Sequence, residues 1–169
     1  MVNIELNKQA KLSPNFTVGE LTKTSVKSLD GNIPSREAIE NLKRLCPWLE
    51  ELRYTYNSLY CLKPGEDYET SKNVEPIIIT SGYRSPDVNR AVGGANSSNH
   101  LTGCAVDIRC VGVEQAIRYA AILLDAADDR QEDFDELLIE RNRKGRYWVH
   151  FAVRPPKEGN RRKVLFINA

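Results

Sequence analysis

The chain has 169 residues, of which 41% are hydrophobic and 28% are charged. This length and composition predict one globular domain with its own hydrophobic core and exclude a disordered chain. The 24 basic and 23 acidic residues leave a formal net charge of +1. A balance so close to neutral gives no support for electrostatic binding to nucleic acid.

The sequence shows no membrane or export signal. No apolar run approaches the ~20 residues that a membrane-spanning helix needs, and the first twelve residues lack the basic-then-apolar order of a signal peptide. We therefore expect no membrane insertion, and synthesis in the cytoplasm without signal-directed export. The cysteines form no CxxC pair and are expected to be reduced, partly buried thiols. They are Cys46, Cys61, Cys104 and Cys110.

The first part of the chain is predicted to be helical. Thr17 and Glu20 have the spacing of a capping box, which opens a short helix. A Pro-Ser start signal then precedes a run, within residues 31–60, in which apolar side chains recur at three- and four-residue spacing, as one buried helix face requires. These apolar positions are Ile39, Leu42, Leu45, Leu49 and Leu52. Pro47 is expected to kink this helix or divide it in two.

The middle of the chain alternates between loops and short elements. Residues 63–76 are polar with Pro and Gly, which predicts a surface loop. The β-branched run at 77–80 predicts a central strand. Residues 85–94 begin with Ser and Pro and end with Gly, which are the start and stop signals of a helix. The sequence AVDIRC at 105–110 predicts the next strand.

The last third is predicted to add one helix and three strands. Residues 113–128 have a helical period. The face predicted to be apolar comprises Ile117, Ala121, Leu124 and Ala127. Residues 135–140 and 147–153 flank the basic loop 141–146 and predict a β-hairpin, and a final strand is expected at 163–167. Helices come first and strands mostly later, which predicts an α+β fold with helices on one face of a largely antiparallel sheet.

The two histidines of the chain, His100 and His150, lie in unusual surroundings. His100 follows the loop AVGGANSSN, where small residues let backbone approach a ligand closely. Asp107 and His150 each lie on a strand of apolar neighbours, where an unpaired polar group is costly. Single histidines are often ordinary hydrogen-bonded residues, but a cation would satisfy all three side chains at once.

Two imidazoles and one carboxylate are a normal ligand set for catalytic zinc, which keeps a fourth position open. A structural zinc site would instead need four protein ligands, usually cysteines. Cys104, which lies inside the stretch from His100 to Asp107, is the one cysteine considered as a ligand, and strand alternation directs it away from Asp107. An open zinc lowers the pKa of water towards ~7 and polarises carbonyl groups, which suits amide hydrolysis. That reaction also needs a general base.

The pattern S-x-H-x-x-G-x-A-x-D at residues 98–107, a later W-V-H at 148–150 and SGYRSP at 81–86 resemble the M15 zinc peptidases. This group includes D-Ala-D-Ala carboxypeptidases and L-alanyl-D-glutamate endopeptidases and shares a fold with the Hedgehog signalling domain. The chain is most similar to the phage-type branch with F-D-x-L-I-x-E before W-V-H, here residues 134–140. The similarity covers about residues 77–153, and the segments FTVGELT and GNRRKVL also look like that branch.

The resemblance implies a fold as well as a chemistry. It implies a Hedgehog/DD-peptidase-like α+β fold with a zinc site at the sheet. We expect a single zinc peptidase domain over residues 1–169. Its helical N-terminal part would cover 1–62 and its metal-site core 77–169.

The resemblance also implies roles for individual residues. His100, Asp107 and His150 would be the ligands of Zn²⁺. Arg84 would act at the catalytic centre by holding a carboxylate or carbonyl of the peptide, a task that suits its planar fork of donors. A structural ion pair is the alternative for Arg84. Ser98 would hydrogen-bond the substrate beside it.

The chain departs from many members of this group at the general base. A Glu or Asp often lies three residues before the second histidine, but Tyr147 occupies that position here. We predict that Glu140 is the base, because the phage-type branch carries a Glu there. Glu136 shares its strand face through the two-residue period and is the alternative.

These observations predict a zinc metallopeptidase that hydrolyses an amide bond in peptidoglycan stem peptides. The enzyme would be a D-Ala-D-Ala carboxypeptidase or an L-Ala-D-Glu endopeptidase. The expected absence of a signal peptide suits a phage or prophage endolysin or virion protein that acts on the cell wall after release.

Two alternative functions remain. The first is a non-catalytic cell-wall-binding or structural module that keeps the zinc site, and Tyr147 favours it. The second is a nucleic-acid binder that uses the basic runs at 141–146 and 160–163, which predicts strongly salt-dependent affinity.

Overall fold

The computed structural model describes residues 7–168, which form an α+β fold, as predicted. The helices are α1 (Val18–Leu21), α2 (Arg36–Tyr60), α3 (Pro86–Ala91) and α4 (Gly112–Arg130). The strands are β1 (Ile79–Ser81), β2 (Ala105–Cys110), β3 (Glu136–Arg141), β4 (Tyr147–Ala152) and β5 (Lys163–Asn168). Short 3₁₀ turns cover Asn99–Thr102 and Pro156–Glu158.

The ends of the chain limit two of the sequence predictions. Residues 1–6, half of the stretch tested for a signal peptide, lie outside the described residues. Within residues 7–168, the helices are too short or too polar for any of them to cross a bilayer.

The five strands form one sheet in the order β1-β2-β4-β3-β5. All neighbouring pairs are antiparallel except β3 and β5, which are parallel. The predicted hairpin is confirmed as β3 and β4, in a register that places Leu138 opposite His150. Because directly paired residues point to the same side of a sheet, this register decides which side chains share a face.

The prediction of a central strand at 77–80 is wrong. β1 has three residues and lies at the edge, where it pairs with β2 alone. In the segment that leads into β1, Ile77 and Ile79 are buried and Ile78 is half-exposed. The rest of the protein therefore packs against only one side of this segment. A β-branched run reports strand propensity, which does not depend on the position of the strand in the sheet.

The helices α2 and α4 cover one face of the sheet, as predicted. The core between the layers includes Leu42, Leu45, Leu49 and Leu52 from α2, all fully buried, while Ile39 is only partly buried. Pro47 does not divide the helix, which runs without interruption from Arg36 to Tyr60. Buried leucines on both sides of Pro47 offset the roughly 3 kcal/mol that an interior proline costs.

The predicted face of α4 is shifted from the buried one. Ile117 and Ala121 are exposed and Leu124 is partly buried, whereas Ala127 is buried as predicted. The buried positions are Ala116, Tyr119, Ala120, Ile122, Leu123, Ala126 and Ala127. Both stripes of this alanine-rich helix have helical spacing, so periodicity alone does not select the one that meets the sheet.

Candidate metal centre

The face of the sheet opposite the helices brings His100, Asp107 and His150 together. Asp107 on β2 lies directly opposite His150 on β4, and the 3₁₀ turn carries His100 beside them. All three side chains are buried. One possible ligand atom from each residue lies within 4.8 Å of the other two. The three residues singled out in the sequence are therefore one cluster in the structure.

Close backbone contacts fix the position of His100. Gly103, which ends its turn, has a φ of +74°, and a Cβ there would lie 2.5 Å from the carbonyl oxygen of Ala38 on α2. Only glycine fits both constraints. The ring Nδ1 of His100 lies 2.6 Å from the carbonyl oxygen of Gly82. Since a carbonyl can only accept, Nδ1 carries a proton, and in the neutral ring Nε2 keeps its lone pair.

The Asp107 carboxylate is the centre of the cluster. Its Oδ1 lies 3.2 Å from His100 Nε2 and 3.0 Å from His150 Nδ1. Burial opposes ionisation of Asp107, but attraction to His100 and the hydrogen bond with His150 outweigh it and hold its pKa well below the usual range. The same carboxylates act on His150. Burial would lower its pKa, but the contacts with Asp107 and Glu136 raise it to about 9.

The donor set fits a divalent cation such as zinc. In the neutral ring of His100 with its proton on Nδ1, the Nε2 lone pair faces Asp107 Oδ1 at 3.2 Å. Two such acceptors would both bind a cation placed between them. Two imidazole nitrogens and one carboxylate oxygen are the ligands that catalytic zinc takes, with one position left open. The cysteines do not enter the cluster, and Cys104 is buried elsewhere.

Arg84 and Ser98 both line the cleft above the cluster. Arg84 Nη2 lies 2.5 Å from Asp107 Oδ2, and its Nε donates to Ser81 Oγ at 2.8 Å. This is the structural ion pair that was the alternative for Arg84, although its side chain also borders the cleft. The Ser98 hydroxyl accepts from the backbone N–H of His100 at 3.3 Å, and so caps the turn that carries the histidine.

Glu140 borders the cleft and has no partner. The cleft has a volume of about 610 Å³. The side chain of Glu140 is partly buried and makes no hydrogen bond or ion pair with any of residues 7–168. Burial, followed by repulsion from Asp107, raises its pKa above the usual range. A carboxylate whose pKa is raised accepts a proton more readily, as a general base requires.

Tyr147 does not occupy the position of a base in this fold. It precedes His150 by three residues on the same strand, so the two side chains point to opposite faces. Tyr147 packs against the hydrophobic core and its ring lies 6.3 Å from that of Phe166. A carboxylate at position 147 would also point away from the metal centre. Tyr147 therefore no longer supports a non-catalytic module.

Sequence reasoning missed a group of charged side chains behind the cluster. Asp135 is fully buried and accepts two hydrogen bonds from the Arg161 side chain, at 2.8 and 2.7 Å, and one from Asn99, at 2.8 Å. Arg154 Nε lies 3.1 Å from the same carboxylate. The position of Asp135 directly before a buried strand was the only sequence signal of this group. Its partners could not be predicted, because Asn99 lies 36 residues earlier in the chain and the arginines lie 19 or more residues later. We call Asp135, Asn99, Arg154 and Arg161 the Asp135 network.

The comparison with protein families decides what this cluster belongs to. The sequence model described as Peptidase M15 matches residues 66–151, just over half of the chain. The chain belongs to the Peptidase M15 family. The match includes all three clustered residues and Glu140, and it ends before β5. No curated protein matches the chain significantly. The resemblance to M15 peptidases is thus confirmed, while the phage-type branch stays a prediction.

Proposed function

We propose that this M15 peptidase is zinc-dependent and hydrolyses an amide bond in peptidoglycan stem peptides. The single observation that carries the proposal is the geometry of the cleft. It joins the His100–Asp107–His150 cluster, which suits a divalent cation, to Glu140, a carboxylate with no other partner. A peptidase of this kind needs these two components, a Lewis acid and a proton carrier.

His100 Nε2, Asp107 Oδ1 and His150 Nδ1 would hold the metal. When bound, zinc supplies polarisation of the scissile carbonyl and lowers the pKa of water. Glu140 would take the proton of the attacking water on its carboxylate and return it to the leaving amine. Its lack of any competing partner keeps both oxygens available for this transfer. Arg84, held by Asp107 and Ser81, and Ser98 would orient the peptide beside the metal.

The charge of the cleft agrees with an acidic peptide as substrate. Arg161 and Lys163 line the cleft with side chains that are 49% and 41% exposed. Stem peptides carry free carboxylates, which guanidinium and ammonium groups bind well. The choice between D-Ala-D-Ala carboxypeptidase and L-Ala-D-Glu endopeptidase activity rests on how the cleft is closed. Its described lining includes residues of the segment 92–98 and Lys163 of β5, and none from the loops 63–76 and 141–146.

Action on the cell wall, after release from a cell or within a virion, is part of the same proposal. We also propose a phage or prophage origin, because the sequence resembles the phage-type branch.

The proposal is tested by incubating purified protein with purified peptidoglycan and analysing the soluble products by mass spectrometry. We expect release of D-Ala or a cut between L-Ala and D-Glu, lost after EDTA treatment and restored by zinc. The choice of product also fixes the bond. Intact peptidoglycan of every cross-link type, with one zinc bound per chain, would refute the peptidase and support the cell-wall-binding module.

A further inference from the structure

The two nitrogens of the His150 ring face different carboxylates. Nδ1 lies 3.0 Å from Asp107 Oδ1. Nε2 lies 3.4 Å from Glu136 Oε2, which is a charge contact rather than a well-formed hydrogen bond. Among the described residues Nε2 is buried without a hydrogen-bond partner. Glu136 is thus the acceptor towards which this orphaned atom points.

The Glu136 carboxylate is held in place from behind. Asn99 Nδ2 donates to Oε2 at 3.0 Å. On the other oxygen, Oε1, Arg161 Nη2 lies at 3.0 Å and Lys163 Nζ at 3.3 Å. Asn99 belongs to the 3₁₀ turn, and Arg161 and Lys163 lie just before and at the start of β5, so two separate parts of the chain fix one carboxylate. Although Glu136 lines the cleft, a carboxylate held in this way is not free to move and carry a proton.

His100 shows the same arrangement with a different acceptor. Its Nδ1 donates to the carbonyl oxygen of Gly82, and its Nε2 faces Asp107 Oδ1. In each ring, therefore, the outer nitrogen meets an acceptor of the protein and the inner nitrogen meets Asp107. The outer acceptor of a metal-binding histidine fixes its tautomer and ring orientation.

We propose that Glu136 is the positioning residue of His150: its carboxylate accepts the Nε2 proton and leaves the Nδ1 lone pair for the metal. The inference rests on the proposed metal centre and replaces the alternative role of Glu136 as general base. Two carboxylates on one face of β3 then have separate tasks. Glu136 acts through His150, and Glu140 acts on the substrate.

Zinc affinity, measured by competition with a chromophoric chelator, tests this role in Glu136→Leu, Glu136→Gln and Glu140→Gln. We expect Glu136→Leu to bind zinc roughly 10- to 100-fold more weakly, the usual effect of losing such an outer partner. Glu136→Gln keeps a carbonyl acceptor and should recover much of the affinity. Glu140→Gln, the matched control on the same strand face, should bind zinc like the wild type.

Histidine ¹H–¹⁵N correlation spectra of the zinc-loaded protein give a second measurement that does not depend on activity. With two histidines in the chain, the spectrum should show one ring protonated on Nδ1 and one on Nε2. In Glu136→Leu only the His150 pattern should change. Unchanged zinc affinity and an unchanged His150 pattern in Glu136→Leu would overturn the inference. A wild-type protein that binds no zinc would instead overturn the metal centre itself.

Discussion

The two ends of β3 offer opposite environments to carboxylates of the same strand. At the start of β3, Glu136 and the preceding Asp135 are surrounded by Arg154, Arg161 and Lys163. The pKa of Glu136 is lowered to about 2, mainly by its contact with His150. Four residues later Glu140 has no partner among residues 7–168, and burial raises its pKa. We propose that the first end is organised for stability and the second for proton transfer, because a group that has no partner in the folded state remains free to react.

The largest expected effect comes from removing His150, the proposed metal ligand on β4, the strand that pairs with β3. His150→Gln should lose the bound zinc and lower kcat/KM by roughly 10³-fold or more, because several kcal/mol of transition-state stabilisation disappear with the metal. Zinc content by atomic absorption and hydrolysis of stem peptides measure the two losses. Arg143→Gln, in the exposed hairpin loop, is the matched control and should retain both. Full activity in a zinc-free His150→Gln protein would contradict the metal centre.

The second-largest expected effect comes from Glu140, at the other end of β3 from Glu136. Glu140→Gln should lower kcat by roughly 10²- to 10⁴-fold, the usual contribution of a general base, with zinc content unchanged. Its free energy of unfolding should stay the same or rise slightly, because a carboxylate whose pKa is raised by folding is destabilising when ionised. Steady-state kinetics and urea denaturation on the same preparation measure both quantities. A variant that is unstable but active would reverse the comparison.

The opposite result is expected at the other end. Asp135→Asn should lower the free energy of unfolding by about 3 kcal/mol, because it takes the charge out of a buried, hydrogen-bonded ion pair. Urea denaturation at neutral pH measures this loss. Asp133→Asn, whose carboxylate pairs with Arg162 at the surface, is the control and should cost less than about 1 kcal/mol. Equal losses in the two variants would show that the Asp135 network has no special role in stability.

The smallest effect is the pH dependence of that difference. Burial opposes ionisation of Asp135, but hydrogen bonds from Arg161 and Asn99 outweigh it and lower its pKa below 3.8. A lowered pKa gives stability that is complete above the unfolded value and is lost as the pH falls towards the folded value. The stability gap between wild type and Asp135→Asn should therefore shrink as the pH falls below 3.8. Denaturation curves at several acidic pH values measure the gap, and a constant gap would exclude Asp135 as its source.

Local sequence signals predicted most elements because they act over a few residues. The capping box at Thr17 and Glu20 forms as expected, and Ser85 caps α3. Asp107 and His150 each have apolar neighbours on a predicted strand, and this predicted that their side chains need a binding partner. Two apolar stripes of α4 both have helical spacing, so the sequence did not predict which of them packs against the sheet.

The sequence by itself determined most of the elements, the three clustered residues and the membership of the M15 family, because each depends on residue types at short and fixed spacing. The tertiary structure decided the rest. The pairing of β3 with β4 placed Glu136 and Glu140 on the face of His150, and the parallel pairing with β5 brought Lys163 to Glu136. Register and strand order depend on contacts between residues far apart in the chain, so they alone separate the two glutamates by environment.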